Sequence, residues 1–369
     1  MVKQTENNGL TVVIKPTRNC NLKCKYCSVG DPTSIYMTEE IAEHAIEKIV
    51  TRSPKSTTKF IWHGGEPLLL GTDFYKHILQ VQKPLRTKGV RISNVAQSNG
   101  TLITEEWAKF FKGNNFGVGL SIDGPKEVND RTRVFSQDNG AFEAIQKGAR
   151  ILDEHDVNYG YLAVVSRHNV DSIDAIINFM QEQKKRFKLV AVAPIGRAAK
   201  AVDDIMIEGN SFSDSQIRLF NRWMDEGDIY ARSALWKYLV PVLTGSPIEC
   251  IFYQDCQQSF IGVDSNGDVY PCGRFCGGNE LRYGNLVKES FEDIWNHPAR
   301  LALTKRSENL PDKCQKNCDY ISIYNGGCPL QGSLSEEDGD INSADYNCGQ
   351  YKRIFQAMHD RVCKEAGVE

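Results

Sequence analysis

Between Cys27 and Cys250 the chain contains no cysteine, although it has twelve in 369 residues. That gap speaks against a disulfide framework, which belongs to small secreted domains. It leaves three cysteines near the N-terminus and nine from Cys250 onward. In a reducing compartment such groups read first as metal or iron–sulfur sites. Long apolar runs are missing too: no stretch approaches the roughly 20 residues that span a bilayer. Residues 1–10 are too polar for a secretory signal, so the cytoplasm is the expected location. An excess of either charge is also lacking. Lysine and arginine number 44 against 47 acidic residues, a net charge of −3, and no basic run marks a nucleic-acid footprint. There is no fixed-period repeat and no low-complexity segment. What remains is an ordinary globular composition, 41% hydrophobic and 25% charged, long enough for about two domains.

The first two hundred residues alternate between short apolar runs and amphipathic stretches. Strands are expected at residues 10–15, 60–63, 90–97, 117–122, 157–165 and 187–193. Helices are expected at 37–50, 73–82, 105–112, 142–155 and 172–184, the first with Thr38 as N-cap and Glu39 and Glu40 in its opening turn. Repeated β-then-α order predicts an α/β fold with a parallel sheet and right-handed crossovers. Six units are too few to close an eight-stranded barrel, so an open, partial TIM-like (β/α)6 barrel is expected. Active sites in such folds lie at the C-terminal ends of the strands. Residues 1–205 form this barrel, 206–246 a helical linker with helices near 213–225 and 233–243, and 247–369 a cysteine-rich extension. The extension should open with a hairpin, 259–263 and 268–270 around the turn at 264–267. A short helix near 291–296 and a terminal helix over 348–364 complete it.

Four motifs fall at strand ends. Cys20, Cys24 and Cys27 have C-x3-C-x2-C spacing directly after the first strand. Three thiolates can hold a cubane cluster and leave one iron open; structural zinc wants a fourth N or S ligand, and none is local. Gly64, Gly65, Glu66 and Pro67 follow the second strand, where glycines permit close approach and a carboxylate can accept from an ammonium. His63 beside them reads as structural. Gln97, Ser98 and Asn99 end the third strand, and Ser121 and Asp123 the fourth; each string alone is compatible with turn chemistry. Arg131 and Arg133 follow, either surface groups or partners for a carboxylate.

The cysteine loop, with Tyr26 at its aromatic place, resembles the radical S-adenosylmethionine (SAM) superfamily. The resemblance implies that Cys20, Cys24 and Cys27 hold a [4Fe–4S] cluster. SAM would bind the open iron and yield a 5′-deoxyadenosyl radical. It also implies that Gly64-Gly65-Glu66-Pro67 holds the methionine amino group, and that Gln97, Ser98, Asn99 and Ser121 face the ribose and carboxylate. Arg131 or Arg133 would pair with that carboxylate. The later cysteines resemble the SPASM extension of peptide-modifying members, which carries two auxiliary [4Fe–4S] clusters. By position Cys250, Cys256, Cys272 and Cys328 would hold the first, and Cys314, Cys318 and Cys348 the second. Tyr324 stands where the pattern expects a further cysteine, so the second cluster has an open or non-cysteine site or borrows Cys276. Cys363 reads as an ordinary buried thiol.

Within this branch the chain is similar in length and N-terminal wording to anaerobic sulfatase-maturating enzymes, which oxidise Cys or Ser to formylglycine. Those enzymes use an aspartate after the cysteine matching Cys272, and here that position is Gly273. The expected activity is therefore crosslinking of side chains within a ribosomal precursor peptide, with Asp123, Asp264 or Tyr324 accepting the proton. Alternatives are sulfatase maturation, epimerisation with Cys276 or Cys363 as hydrogen donor, and, outside catalysis, an iron–sulfur electron carrier. An external one-electron reductant, flavodoxin or ferredoxin, is expected as partner; nucleic acid and membrane are not. Only nineteen residues precede Cys20, so the precursor is expected to be held by the barrel and extension or presented by a separate protein.

Overall fold

The apolar strings expected to be strands form them at nearly the expected bounds in the computed structural model: β1 (Gly9–Thr17), β2 (Thr57–Gly64), β3 (Arg91–Ser98), β4 (Gly117–Ser121), β5 (Tyr159–Val165) and β6 (Phe187–Ala191). The structure describes residues 9–30, 32–52, 57–86, 89–227, 231–246, 250–253, 255–278, 281–335 and 340–367. Residues 1–8, on which the reading of the N-terminus rests, and position 247, the expected start of the extension, lie outside these. Helices Glu39–Val50, Gly71–Arg86, Glu105–Gly113, Phe142–Glu154 and Ile173–Glu182 connect successive strands. The first starts where Thr38 accepts a hydrogen bond from the Ile41 N–H (3.2 Å), with Glu39 and Glu40 at its positive end.

Neighbouring strands pair in parallel from β1 to β6. Alternate residues such as Val12, Ile14, Phe60 and Trp62 are wholly buried. Trp62 meets Phe74 and Tyr75 of the Gly71–Arg86 helix edge-on, which fixes that face as the one covered by helices. The intervening residues, Val13, Ile61, His63, Gln97 and Ser121 among them, are half-buried and line the opposite, concave face.

The cysteine-rich end joins the same sheet. Its hairpin, β7 (Phe260–Val263) and β8 (Asp268–Tyr270), lies where expected, and β7 pairs in parallel with β1, Val13 opposite Gly262. A two-residue β9 (Gly284–Asn285) completes the order β6-β5-β4-β3-β2-β1-β7-β8-β9. The fold is thus the expected open α/β partial barrel with a cysteine-rich extension. Helices Ser211–Glu226, Ala231–Thr244 and Cys348–Ala366 pack on one another beyond β6. Among the described residues no helix is long and apolar enough to cross a membrane.

Candidate active site and auxiliary cysteine sites

The loop after β1 carries Cys20, Cys24 and Cys27, and its shape is imposed by neighbours rather than by regular structure. The N–H groups of Lys23 and Lys25 donate to the carbonyls of Val134 (2.7 Å) and Thr132 (3.0 Å). Arg197 donates from its side chain to the Cys24 carbonyl (2.7 Å) and from its backbone to that of Cys27 (2.8 Å). Asn21 is tied to the end of β3, donating to Thr101 Oγ1 (2.7 Å) and accepting from Asn99 Nδ2 (2.9 Å). Burial pushes the Cys20 thiol up to about 12 and that of Cys24 to about 11. Thiols so placed become ligating thiolates only when a cationic centre shares the loop.

The glycines after β2 bring the chain leading into this loop close. A Cβ on Gly65 would lie 1.9 Å from the Asn19 carbonyl oxygen, and one on Gly64, at φ +121°, 2.4 Å from that of Thr17. The N–H groups of Gly65 and Glu66 donate to those same carbonyls, Thr17 and Asn19 (3.0 and 2.8 Å). Glu66 is fully buried ahead of the turn that begins at Pro67. Its Oε1 accepts from the Leu68 N–H (3.1 Å) and the Ser98 hydroxyl (2.8 Å), and its Oε2 from the Asn99 N–H (2.8 Å). Burial still raises its pKa to about 7. Gln97 Nε2 donates to Ser121 Oγ (3.0 Å), so the third and fourth strand ends are also linked.

Asp123 is buried at the centre of a closed network. It accepts from the Tyr26 hydroxyl, from Arg133 Nη2 (to Oδ1, 3.1 Å), from Thr132 Oγ1 (3.3 Å) and from the Val164 N–H (2.9 Å), and Arg133 Nε stands 3.0 Å from its Oδ2 in the ion pair without forming a hydrogen bond. The Arg133 guanidinium lies 5.4 Å from the centroid of the Tyr26 ring. This carboxylate therefore anchors the aromatic residue of the cysteine loop. Arg131, two residues earlier, is exposed and donates to the carbonyls of Glu127 (3.1 Å) and His168 (2.9 Å) and to Ser172 Oγ (3.1 Å). Sequence alone did not single out Arg197 or Asn21, whose contacts join segments up to 173 residues apart.

At the other end of the sheet Cys250, Cys256, Cys272 and Cys328 come together. Burial raises the Cys250 thiol, and Cys328, Cys256 and Cys272 add to the effect. Cys256 is pushed to about 12 by burial, reinforced by Cys328 and Cys272. Cys314, Cys318 and Cys348 form a second group: burial lifts Cys348 to about 11, with Cys314 and Cys318 contributing. All twelve cysteines are free thiols. Among the described residues no three His, Cys, Asp or Glu side chains are arranged to hold a single metal ion. A cubane takes one thiolate per iron and spreads its ligands, so grouped, buried or half-buried, unbridged thiols suit a cluster.

The other extension residues are placed as follows. Cys276 lies beside Cys272, Lys15, Arg18 and Asp264. Asp264 is 2% exposed and forms a double ion pair with Arg18, one arm of it Nε to Oδ1 at 3.3 Å, which ties the hairpin turn to the chain just before Cys20. Tyr324 is buried among Phe252, Tyr351 and Phe355, its hydroxyl beside Asp345 without a well-formed hydrogen bond. Cys363 is half-buried on the terminal helix, its Sγ 3.7 Å from His359 Nε2.

Residues 14–180 match the family model of the radical SAM superfamily, and residues 250–319 that of the SPASM iron–sulfur cluster-binding domain. A cysteine-type anaerobic sulfatase-maturating enzyme of Clostridium novyi is 31% identical over 94% of this chain and 95% of its own. This chain belongs to the radical SAM superfamily, in the family of the anaerobic sulfatase-maturating enzymes. The fold agrees over nearly its whole length. The solved structure of native anSMEcpe with bound AdoMet superposes with a TM-score of 0.85 at 26% identity, covering 97% of this chain and 99% of that one. The same protein with bound AdoMet and the Cp18Cys peptide gives 0.84 at 25% identity, with the same coverage. The two matched families bring their cofactors: SAM and [4Fe–4S] clusters, with auxiliary clusters in the SPASM region. Of the activities weighed from sequence, these likenesses support sulfatase maturation better than precursor-peptide crosslinking.

Proposed function

We propose that this chain oxidises a Cys or Ser side chain of a protein substrate to formylglycine, as an anaerobic sulfatase-maturating enzyme. The supporting observation is the likeness to such enzymes along both the barrel and the extension, rather than along the barrel alone. Cys20, Cys24 and Cys27 would hold the cluster at the mouth of the barrel. Cys250, Cys256, Cys272 and Cys328 would hold the first auxiliary cluster, and Cys314, Cys318 and Cys348 the second. When bound, SAM and its reduced cluster supply a 5′-deoxyadenosyl radical that takes a hydrogen from the substrate. The chain's own residues do the holding. Glu66 accepts from the methionine ammonium, a role suited to a buried carboxylate whose other partners are all donors. Gln97 and Ser121 offer hydrogen bonds to the ribose side. Asp123 and Arg133 act as positioning residues through Tyr26. Electrons come from an external donor, flavodoxin or ferredoxin.

Gly273 favours a second reading, crosslinking, because the aspartate expected after Cys272 is replaced. One experiment separates them. Reconstituted enzyme is incubated anaerobically with SAM, dithionite and a peptide carrying a single Cys or Ser, and 5′-deoxyadenosine and peptide are analysed. Release of 5′-deoxyadenosine together with a hydrazide-reactive carbonyl on the peptide is the expected result. Loss of two hydrogens with no trappable carbonyl would overturn formylglycine formation in favour of a crosslink.

A further inference from the structure

Among the described residues, two cations near His63 form no ion pair with a carboxylate. Lys15, near the end of β1, is only 4% exposed. Among the described residues its ammonium makes no hydrogen bond or ion pair. It lies beside Gly64, where an added Cβ would stand 3.2 Å from the Lys15 Cβ, and within electrostatic reach of His63 and Cys276. The side chain is almost wholly buried while its ammonium has no anion beside it, so its donors are free for an acidic group that reaches the concave face.

The second cation is Arg274, delivered by close backbone packing. A Cβ on Gly262 would fall 2.4 Å from the Cys272 carbonyl carbon, and one on Gly273 2.5 Å from Val13 Cγ1. Segment 272–273 is thus pressed onto the β1–β7 pair at Val13 and Gly262. Arg274 follows, accessible to solvent yet beside Cys328, Cys272 and Cys250, and within reach of His63. Among the described residues it forms no ion pair or hydrogen bond with a carboxylate. Burial, with Lys15, Arg274 and Arg133 nearby, drives His63 down to about 4, so the imidazole is neutral. Of the carboxylates close by, Asp264 is paired with Arg18 and Asp123 with Arg133; Asp345, within electrostatic reach of Arg274, is engaged by the N–H groups of Cys328 (3.2 Å) and Asn347 (2.8 Å).

We infer that Lys15 and Arg274 form a carboxylate-binding site on the concave face, between the cysteine loop and the first auxiliary site, that holds an acidic group of the peptide substrate. The inference rests on the reading that the substrate is a peptide segment. An auxiliary cluster on Cys250, Cys256, Cys272 and Cys328 would engage only part of the Arg274 guanidinium, whose five N–H donors and exposed side leave room for a carboxylate, while Lys15 lies toward Cys276. The acidic group is either an Asp or Glu side chain or the C-terminal carboxylate, and the two are distinguishable.

The test is fluorescence anisotropy of labelled short peptides on the anaerobic, SAM-loaded, cluster-bearing enzyme. Three peptides share one cysteine-containing sequence: one with Glu and an amidated end, one with Gln and an amidated end, one with Gln and a free carboxylate. Binding of the Glu or the free-acid peptide about tenfold tighter than the doubly neutral one is expected, the worth of a charge-assisted hydrogen bond. Lys15→Met and Arg274→Gln should each erase that preference. Arg274 is accessible, so its variant keeps the test alive if Lys15→Met fails to fold. Affinities within about twofold for all three peptides, or a preference that survives in either folded variant, overturn the site. Glutarate is the control: if it binds and displaces nothing because no peptide binds, the site stands and the peptide reading falls.

Discussion

The N-terminal site takes three thiols from eight consecutive residues, Cys20 to Cys27, whereas the extension's two proposed groups draw seven, Cys276 aside, from Cys250 to Cys348. The short site is local in its thiols and non-local in its shape. Its loop is fastened by Val134, Thr132, Arg197, Thr101 and the backbone leading to Glu66. The extension is the reverse: its thiols are scattered in sequence, and the close packing of Gly262 against Cys272 shows how the sheet itself helps to gather them. A local ligand set leaves a spacing that can be read from sequence. A scattered one leaves only a count, and its grouping depends on the fold.

The largest effect expected follows from that contrast. Replacing Cys20, Cys24 and Cys27 together by alanine should abolish 5′-deoxyadenosine release and remove about four irons of about twelve per chain. The remaining irons should stay, because the extension's thiols do not share the loop. Loss of all iron would break the comparison and show one site folding on the other. A smaller effect is expected from Cys256→Ala. Radical formation should continue, seen as 5′-deoxyadenosine, while modified peptide falls to background and the iron content drops by about four. If modification persists at the wild-type rate, the first auxiliary site has no part in turnover.

The barrel was legible because its signals are periodic and local. Six strands and their helices lie within a few residues of expectation, and Thr38 caps where its side chain can reach the Ile41 N–H. The joining of β7 to β1 was not legible, since it pairs residues about 250 positions apart. The candidate site divides the same way. Glu66, Ser98 and Asn99 were found from strand-end motifs and do meet. Arg131 and Arg133 look alike in sequence, yet one lies at the surface and the other is buried on Asp123, because the chain turns between them. Lys15 did leave a signal, a charged residue closing an inward-facing apolar strand, but its isolation shows only when its neighbours are placed. Tyr324 marks a missing thiol in sequence; in the structure it is a core aromatic packed on Phe252 and Tyr351.

Gly273 sharpens the comparison at the point where the two regions touch. A side chain there would press on Val13 Cγ1 at 2.5 Å and Cβ at 3.1 Å. Gly273→Asp should therefore destabilise by about 1–3 kcal/mol through overpacking, read as a lower unfolding temperature of the cluster-bearing protein. Val13→Ala removes the obstructing methyls and should recover part of that loss in the double variant, a coupling of about 1 kcal/mol between neighbours. The new carboxylate would also stand one residue from Arg274. It should weaken binding of an acidic peptide more than that of its amide counterpart, whether or not Val13 is truncated. If the double variant recovers stability but keeps the full acid preference, the charge at 274 is not what the peptide meets. If neither variant shifts the unfolding temperature, segment 272–273 is not pressed onto β1, and the auxiliary thiols are gathered by something other than the sheet.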